Sequence, residues 1–518
     1  MSDEYLFGWD DTVGIVSVWA DREGRALVWR REGGELSCRQ ERYQPWLFAA
    51  HLDDLPSAEP FQVSTLDGPP DTYRYLISAA SGRALERALV AGVSRRLGKA
   101  VQSLYDLDDY YRVGPVEQYL MATGRVYYRG LTYADLHRLQ FDLETTALDP
   151  ARGRIFLVAV RDSRGLATTL EAPTPDDEAR LIRDLVRLIQ ERDPDVIENH
   201  NLFGFDLPFL ERRAQAHGVP LALGRRPGPL LLQSYAEPGG HYNAPRRTRY
   251  TVAGRELIDT LDAVWRHDFV VRDLPSHRLK DVARHFGVAA PERTYVAGAD
   301  VFATYRQNPE MIRRYALDDV AEVDALSQRL LGAPFALAGM APRRYERLSS
   351  AGPAMGILEP LLVRAYLRAG AALPRYQTGA GLGQHAGGAA YLFAAGVAEH
   401  VVKADVASLY PSIMRVFQVG PAPDRLGVLL KIVDRMTSLR LQHKAAAREA
   451  SPGSLEAGHH QAMQAAMKLL INSAYGYMGA GAMALFADGR AADEVTRRGR
   501  ETLDQVVAAL RGAGRGPD

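Results

Sequence analysis

The chain has a single cysteine, Cys38, in 518 residues, which excludes an internal disulfide framework and a cysteine-based zinc site. Lysine is scarce as well. Lys99, Lys280, Lys403, Lys431, Lys444 and Lys468 are the only lysines among 63 basic residues, the arginine bias expected of a GC-rich coding sequence. There is no excess of charge, because 63 acidic residues balance them. A polyanion would therefore have to be held by a local basic groove rather than by bulk attraction. No apolar run is long enough to span a membrane. The start, Met1-Ser2-Asp3-Glu4, is acidic and lacks the basic and apolar regions of a signal peptide, so the cytoplasm is the expected compartment.

What is present is the composition of a globular protein, 47% hydrophobic and 24% charged, in a chain long enough for about three domains. Residues 1–130 read as short alternating strands, such as Gly14–Trp19 and Arg25–Trp29, and form an expected β-rich domain. Residues 131–335 read as α/β. Leu139–Glu144 and Arg154–Val160 are expected to be neighbouring antiparallel strands, with helices over Glu178–Gln190 and Pro309–Leu331. Gly224–Arg247 reads as an exposed Gly, Pro and Arg-rich loop, and Thr248–Val252 with Arg255–Ile258 as a hairpin about Ala253-Gly254. A Gly-rich connector, Thr378–Gly383, lies within a third region, 336–425. Residues 426–478 read as a helical hairpin turning at Ser451-Pro452-Gly453, and 479–518 carry a last amphipathic helix over Ala491–Leu510.

Two constellations carry chemistry. In the first, Asp142 and Glu144 are two apart on a strand and leave the same face, where like charges repel unless a cation lies between them. Asp206, in Asn199-His200-Asn201-Leu202-Phe203-Gly204-Phe205-Asp206, adds a carboxylate after a turn, and Tyr315 and Asp319 share a helix face at i, i+4. Four carboxylates can hold two Mg²⁺ ions for phosphodiester hydrolysis, with the tyrosine hydroxyl orienting water. Taken singly, each piece also reads as a solvated strand end or an acidic helix face. In the second, Lys403-Ala404-Asp405-Val406-Ala407-Ser408-Leu409-Tyr410-Pro411-Ser412 reads as a buried strand delivering Asp405, then a helix whose first amides, Ser408 to Tyr410, face an anion. The hairpin adds Arg440 and Lys444 on one helix face and Lys468, Asn472 and Tyr475 on one face of the other, cations placed to clamp a triphosphate. A buried aspartate capping a helix, with Tyr410 and Pro411 in a core, is the plainer reading of the first segment.

Together these motifs resemble family B DNA polymerases over nearly the whole chain. D-x-E, N-x3-F-D (Asn201, Phe205, Asp206) and Y-x3-D are similar to the three proofreading exonuclease motifs, in order. The Asp405 segment resembles the first polymerase motif, and Lys468-Leu469-Leu470-Ile471-Asn472-Ser473-Ala474-Tyr475-Gly476 resembles the second, K-x3-N-S-x-Y-G. The resemblance implies a multidomain α/β and α+β chain: a β-rich N-terminal domain, an RNase H-like exonuclease domain, the start of a palm, and fingers made by the hairpin. It implies primer extension from dNTPs on a DNA template, 3′–5′ removal of mispaired ends, and Mg²⁺ or Mn²⁺ held by Asp142, Glu144, Asp206, Asp319 and Asp405. Tyr410 would lie under the incoming sugar, excluding a 2′-hydroxyl, and Asn201, Phe205 and Gly476 would contact DNA. The Thr248–Ile258 hairpin would help part the primer end from its template.

Two departures stand out. Gly387-Gly388 matches the glycines of a Y-x-G-G loop that contacts template, but His385 replaces the tyrosine. The third polymerase motif, D-T-D, and the thumb are not found before Asp518, and Asp424, Asp488, Asp493 and Asp504 match no substitute pattern. Synthesis by this chain alone is therefore not expected. A truncated gene model, a decayed gene and a split polymerase whose second polypeptide carries the remaining palm and thumb are the competing explanations. A stand-alone exonuclease and a non-catalytic primer-template binding module are the functional alternatives, and a sliding clamp is a further candidate partner. Nucleoid association would follow in a prokaryote.

Overall fold

A computed structural model of the chain describes residues 3–55, 60–236, 246–376, 392, 395–397, 399, 401, 405–406 and 408–512. The Gly-rich connector, Lys403 and the Gly387-Gly388 pair lie outside those residues.

The first region is β-rich, as its short alternating runs imply. β1 (Ile15–Ala20), β2 (Arg25–Glu32) and β3 (Glu35–Arg42) form an antiparallel meander. The β2–β3 turn is Gly33-Gly34, both at positive φ, 59° and 89°, the geometry a two-residue hairpin needs and side chains resist. Cys38 sits exposed on β3. β4 (Trp46–Ala49), β5 (Gln62–Thr65), β6 (Tyr75–Ser78) and β7 (Tyr110–Tyr111) make a second sheet in the order β5-β6-β4-β7.

The central region is built on a five-stranded sheet. β8 (Arg138–Thr145), β9 (Ile155–Asp162) and β10 (Ala167–Glu171) are antiparallel neighbours. β11 (Val196–Asn199) then pairs in parallel with β8. β9 is apolar on both faces because both are covered. Val158 and Val160 pack with Leu181, Leu185 and Ile189 of the Glu178–Arg192 helix, while Leu157 and Ala159 pack with Ile312, Ala316 and Val320 of the Pro309–Leu330 helix. That second helix lies across the strand bearing Asp142 and Glu144, which sets up the site.

The expected Thr248–Ile258 hairpin does not form. β12 (Leu231–Ala236) pairs antiparallel with β13 (Arg246–Thr251), inside the stretch read as a loop. β14 (Glu256–Asp259) instead joins the central sheet, parallel to β11, and the two halves of the expected hairpin share only the isolated Val252–Arg255 bridge. The reason is burial. All four β14 residues are buried, so its apolar run is claimed by the sheet core. β12, by contrast, begins with three exposed residues in succession, Leu231, Leu232 and Gln233, which show no alternation for a sequence pattern to reveal.

The last region is helical. Glu359–Ala369, Leu409–Val416, Val428–Glu449, Leu455–Met478 and Gly489–Gly512 share one core with the N-terminal sheets, in which Val16 and Phe48 belong to the same cluster as Leu361, Leu429 and Leu470. The Val428–Glu449 and Leu455–Met478 helices form the expected hairpin. Of the buried strand expected before Ser408, Lys403, Ala404 and Ala407 lie outside the described residues, and the described Asp405 and Val406 are exposed and carry no strand assignment.

Candidate active site

Asp142 and Glu144 leave the same face of β8, and Asp319 reaches them from the Pro309–Leu330 helix. One oxygen from each of the three carboxylates lies within 4.8 Å of the others. Tyr315, one turn before Asp319, and Lys280, from the Leu279–His285 helix, line the same cleft of about 450 Å³ with His200 and Arg278. The spacing from Tyr315 that singles out Asp319 over Asp318 agrees with the geometry. Asp318 turns aside to Arg293, 3.5 Å away, and to the Thr294 amide at 3.2 Å.

Asp206 stands behind Asp142, 2% exposed, at the end of the Leu202–Asp206 turn that leads into the Leu207–Ala216 helix. Asn199 on β11 links them: its amide donates to Asp142 Oδ1 at 3.1 Å and also bonds Asp206. Asp206 Oδ1 is buried without a hydrogen-bond partner. The turn is shaped by Asp259, the last residue of β14, which accepts from the Asn201 amide at 2.8 Å and the Phe203 amide at 3.0 Å. Asn201 adopts a left-handed φ of 67°, tolerated by its short side chain, and its carboxamide oxygen accepts from Arg247 at 3.3 Å. Phe205 is half-buried, its ring 5.5 Å from that of Phe209.

The electrostatics follow from crowding acids out of water. Burial, and then the Asp319 charge, pushes Asp142 up to about 7. Burial and then Asp142 raise Glu144 and Asp206 well above the carboxylate range. Burial raises Asp319 too, although Lys280, 3.9 Å away, and Arg293, in direct contact with it, pull the other way. Such a set favours either protons or a cation among its oxygens. Its all-oxygen donors and the unpartnered Asp206 oxygen suit a hard divalent cation.

Sequence reasoning missed four neighbours: Asn199, His200, Lys280 and Arg293. Lys280 donates to the Tyr315 hydroxyl and lies 4.0 Å from the centre of its ring. His200 is fixed by Thr260 Oγ1 at 3.1 Å and the His277 carbonyl at 2.8 Å. Lys280 and Arg293 lie on chain segments remote from every motif. Only Asn199 and His200 stood inside one.

The second constellation is more open. Ser408 precedes the Leu409–Val416 helix at φ 53° without a side-chain capping bond, and Arg440 of the hairpin donates to its hydroxyl at 3.3 Å. The Tyr410 and Tyr475 rings meet at 4.5 Å, so the Leu409–Val416 helix and the second hairpin helix are in contact. Leu409 is half-buried against the core, and Lys444, Lys468, Asn472 and Gly476 are exposed. Asp424 and Asp488 are occupied as local caps: Asp424 accepts from Tyr366 at 2.9 Å and the Leu429 amide at 2.7 Å, and Asp488 from the Ala422 amide at 2.9 Å.

Residues 139–327 match the RNase H superfamily and residues 422–513 match DNA polymerase family B. DNA polymerase 2 of Aeropyrum pernix is 29% identical over 380 residues, covering 66% of this chain and 44% of its own length. A DNA polymerase of Archaeoglobus fulgidus is 25% identical over 444 residues, covering 79% of this chain and 50% of its own. The chain thus spans about half the length of these relatives. The structure of the family B DNA polymerase from the hyperthermophilic archaeon Pyrobaculum calidifontis superposes with a TM-score of 0.74 at 22% identity, over 97% of this chain and 72% of that one. At that identity the likeness speaks for the fold.

Proposed function

We propose that the chain is part of a family B DNA polymerase, that its central site removes nucleotides from the 3′ end of DNA and that the whole protein extends primers. The observation carrying the nuclease reading is the convergence of Asp142, Glu144 and Asp319 within 4.8 Å, in a cleft that Tyr315 also lines. Divalent cations such as Mg²⁺, or Mn²⁺, would supply a lowered pKa for attacking water and charge neutralisation at the leaving oxygen. Asp142, Glu144 and Asp319 would hold them directly, and Asp206 from behind Asp142. Tyr315, steadied by Lys280, would orient the water. Asn201 and Phe205, on the turn before Asp206, would contact the frayed end.

For synthesis, Asp405 would bind metal beside the triphosphate, with Ser408, Leu409 and Tyr410 beneath it. Arg440, Lys444, Lys468 and Asn472 would clamp the phosphates, and Tyr475 would support Tyr410 through their ring contact. Gly387, Gly388 and Gly476 are assigned to DNA contact on the motif match alone. The parts are an N-terminal domain at 1–130, an exonuclease domain at 131–335, palm at 336–425 and 479–518, and fingers at 426–478. Primer-template DNA and dNTPs are the proposed partners. A second polypeptide completing the palm, and a sliding clamp, would be further ones. No described helix is long and apolar enough to cross a membrane.

The test uses a polypeptide of these 518 residues, a 5′-labelled primer on a longer template, and Mg²⁺, with and without dNTPs. Shortening that dNTPs do not reverse is expected, since Asp405 is the only motif carboxylate for synthesis in it. Binding without any Mg²⁺-dependent shortening would favour a binding module and overturn the nuclease reading. Extension would overturn the assignment of the synthetic site.

A further inference from the structure

The helical hairpin buries its side chains mainly toward one end. On the Val428–Glu449 helix the buried residues are Val428, Leu429, Ile432, Val433 and Met436, and none follows Met436. On the Leu455–Met478 helix the buried run begins at Ala466, with Ala457 the only buried residue before it. Near the turn, Leu441 and Leu455 are exposed. Two antiparallel helices with so little apolar burial between their ends need some other tie.

What stands between them there is imidazole. His443 on the first helix faces His459 and His460 on the second, and one ring nitrogen from each lies within 4.8 Å of the other two. His443 Nδ1 and His460 Nδ1 are 2.8 Å apart, and the three ring centres are 5.1, 5.4 and 6.1 Å apart. Adjacent residues on a helix point about 100° apart. Both His459 and His460 can nonetheless approach His443, because it reaches across from the opposite helix.

We infer that His443, His459 and His460 form a site for one divalent transition-metal cation, such as Zn²⁺, which ties the two hairpin helices together near their turn. Neutral imidazole is a favoured ligand of Zn²⁺, Co²⁺ and Ni²⁺. Four-coordinate binding at about 2.0–2.1 Å places nitrogens roughly 3.3 Å apart, so ring rotations of about an ångström close the set. All three rings are half-buried, which leaves a fourth position to water. The site is chemically distinct from the carboxylate cleft, whose oxygen donors suit Mg²⁺ and not a borderline-soft ion. A packing-only role for the rings is the competing account.

The probe is Co²⁺, added to the tag-free 518-residue chain after chelator treatment, with Mg²⁺ in large excess to fill the carboxylates. Equilibrium dialysis and visible absorption read the result. One retained Co²⁺ per chain is expected, with the intense ligand-field bands of a four- or five-coordinate nitrogen-rich site, and the His443→Asn/His460→Asn double variant should lose both. The single variant His459→Gln should bind Co²⁺ at least tenfold more weakly and decides the matter should the double variant not fold. No retained Co²⁺ in the wild-type chain overturns the inference. So does a folded double variant with an unchanged count, or an unchanged affinity in His459→Gln.

Discussion

Glu144 and Asp319 are buried, Asp142 is half-buried, and the three share one small space, so each resists ionising while the others are charged. An unfolded aspartate titrates near 3.9, whereas Asp142 is pushed up to about 7. Between those values the folded chain keeps a proton that the unfolded chain has released, so the stability this proton represents is full below about pH 4 and lost as pH rises through about 7. In chelator, the melting temperature should therefore fall from about pH 5 to pH 7, and Mg²⁺ should restore it at the upper end. A profile of Asp142→Asn as steep as that of the parent would contradict this origin. The same crowding makes the site sensitive to a single change. Asp319→Asn should slow primer shortening on the order of a hundredfold or more, measured under single-turnover conditions. Lys280→Met should cost roughly ten- to a hundredfold, in line with loss of a group that orients a catalytic neighbour. A rate unchanged in Lys280→Met would mean that Tyr315 needs no help from its ammonium.

At the scale of elements, helix caps repeat this dependence on single atoms. Ser454 starts the second hairpin helix, its hydroxyl accepting from the Ala457 amide at 3.1 Å. Ser454→Ala should cost about 1 kcal/mol of local stability, seen as about fivefold faster hydrogen exchange at Ala457. Exchange that did not quicken would show that the turn holds the helix start without its cap. The elements were legible where one face is buried. β8 and β9 are nearly continuous buried runs and the hairpin helices carry buried residues at helical spacing, and the expected bounds of all four lie within a few residues of the observed ones. β12 opens on three exposed residues and reads as loop, and β14 reads as the partner of its sequence neighbour because a parallel partner some 60 residues away leaves no local mark. The site divides the same way. Asp142, Glu144, Tyr315 and Asp319 have spacings that a strand or helix turns into shared faces, while Lys280 and Arg293 reach the site only through tertiary packing.

At the scale of the molecule, the N-terminal and central regions are joined by buried charge. Arg31 on β2 grips Asp195, its Nη2 at 2.8 Å and Nε at 2.9 Å from the two carboxylate oxygens. Arg225, at 2.8 Å, and the His137 amide, at 3.0 Å, complete the shell. Breaking a buried pair leaves an uncompensated charge and costs about 3–5 kcal/mol, but Asp195 keeps its other donors. Arg31→Ala should therefore lower stability by about 2–3 kcal/mol, read as an earlier unfolding transition in denaturant. A loss under about 1 kcal/mol would mean that this ion pair is not what holds the two regions together.

The hairpin, buried mainly toward its base, is also a lever. From Met436 to the turn, the first helix projects about 20 Å at 1.5 Å per residue, so a rotation of roughly 10° at the base would carry the turn some 3 Å. Arg440 stands one turn beyond that fulcrum and Lys444 two, so the same rotation would sweep them by unequal amounts, least at the residue that already holds Ser408. Small repacking around Met436 and Leu470 would thus be magnified with distance along the arm, and any cation gripped at its far end would stiffen the arm without loading the pivot.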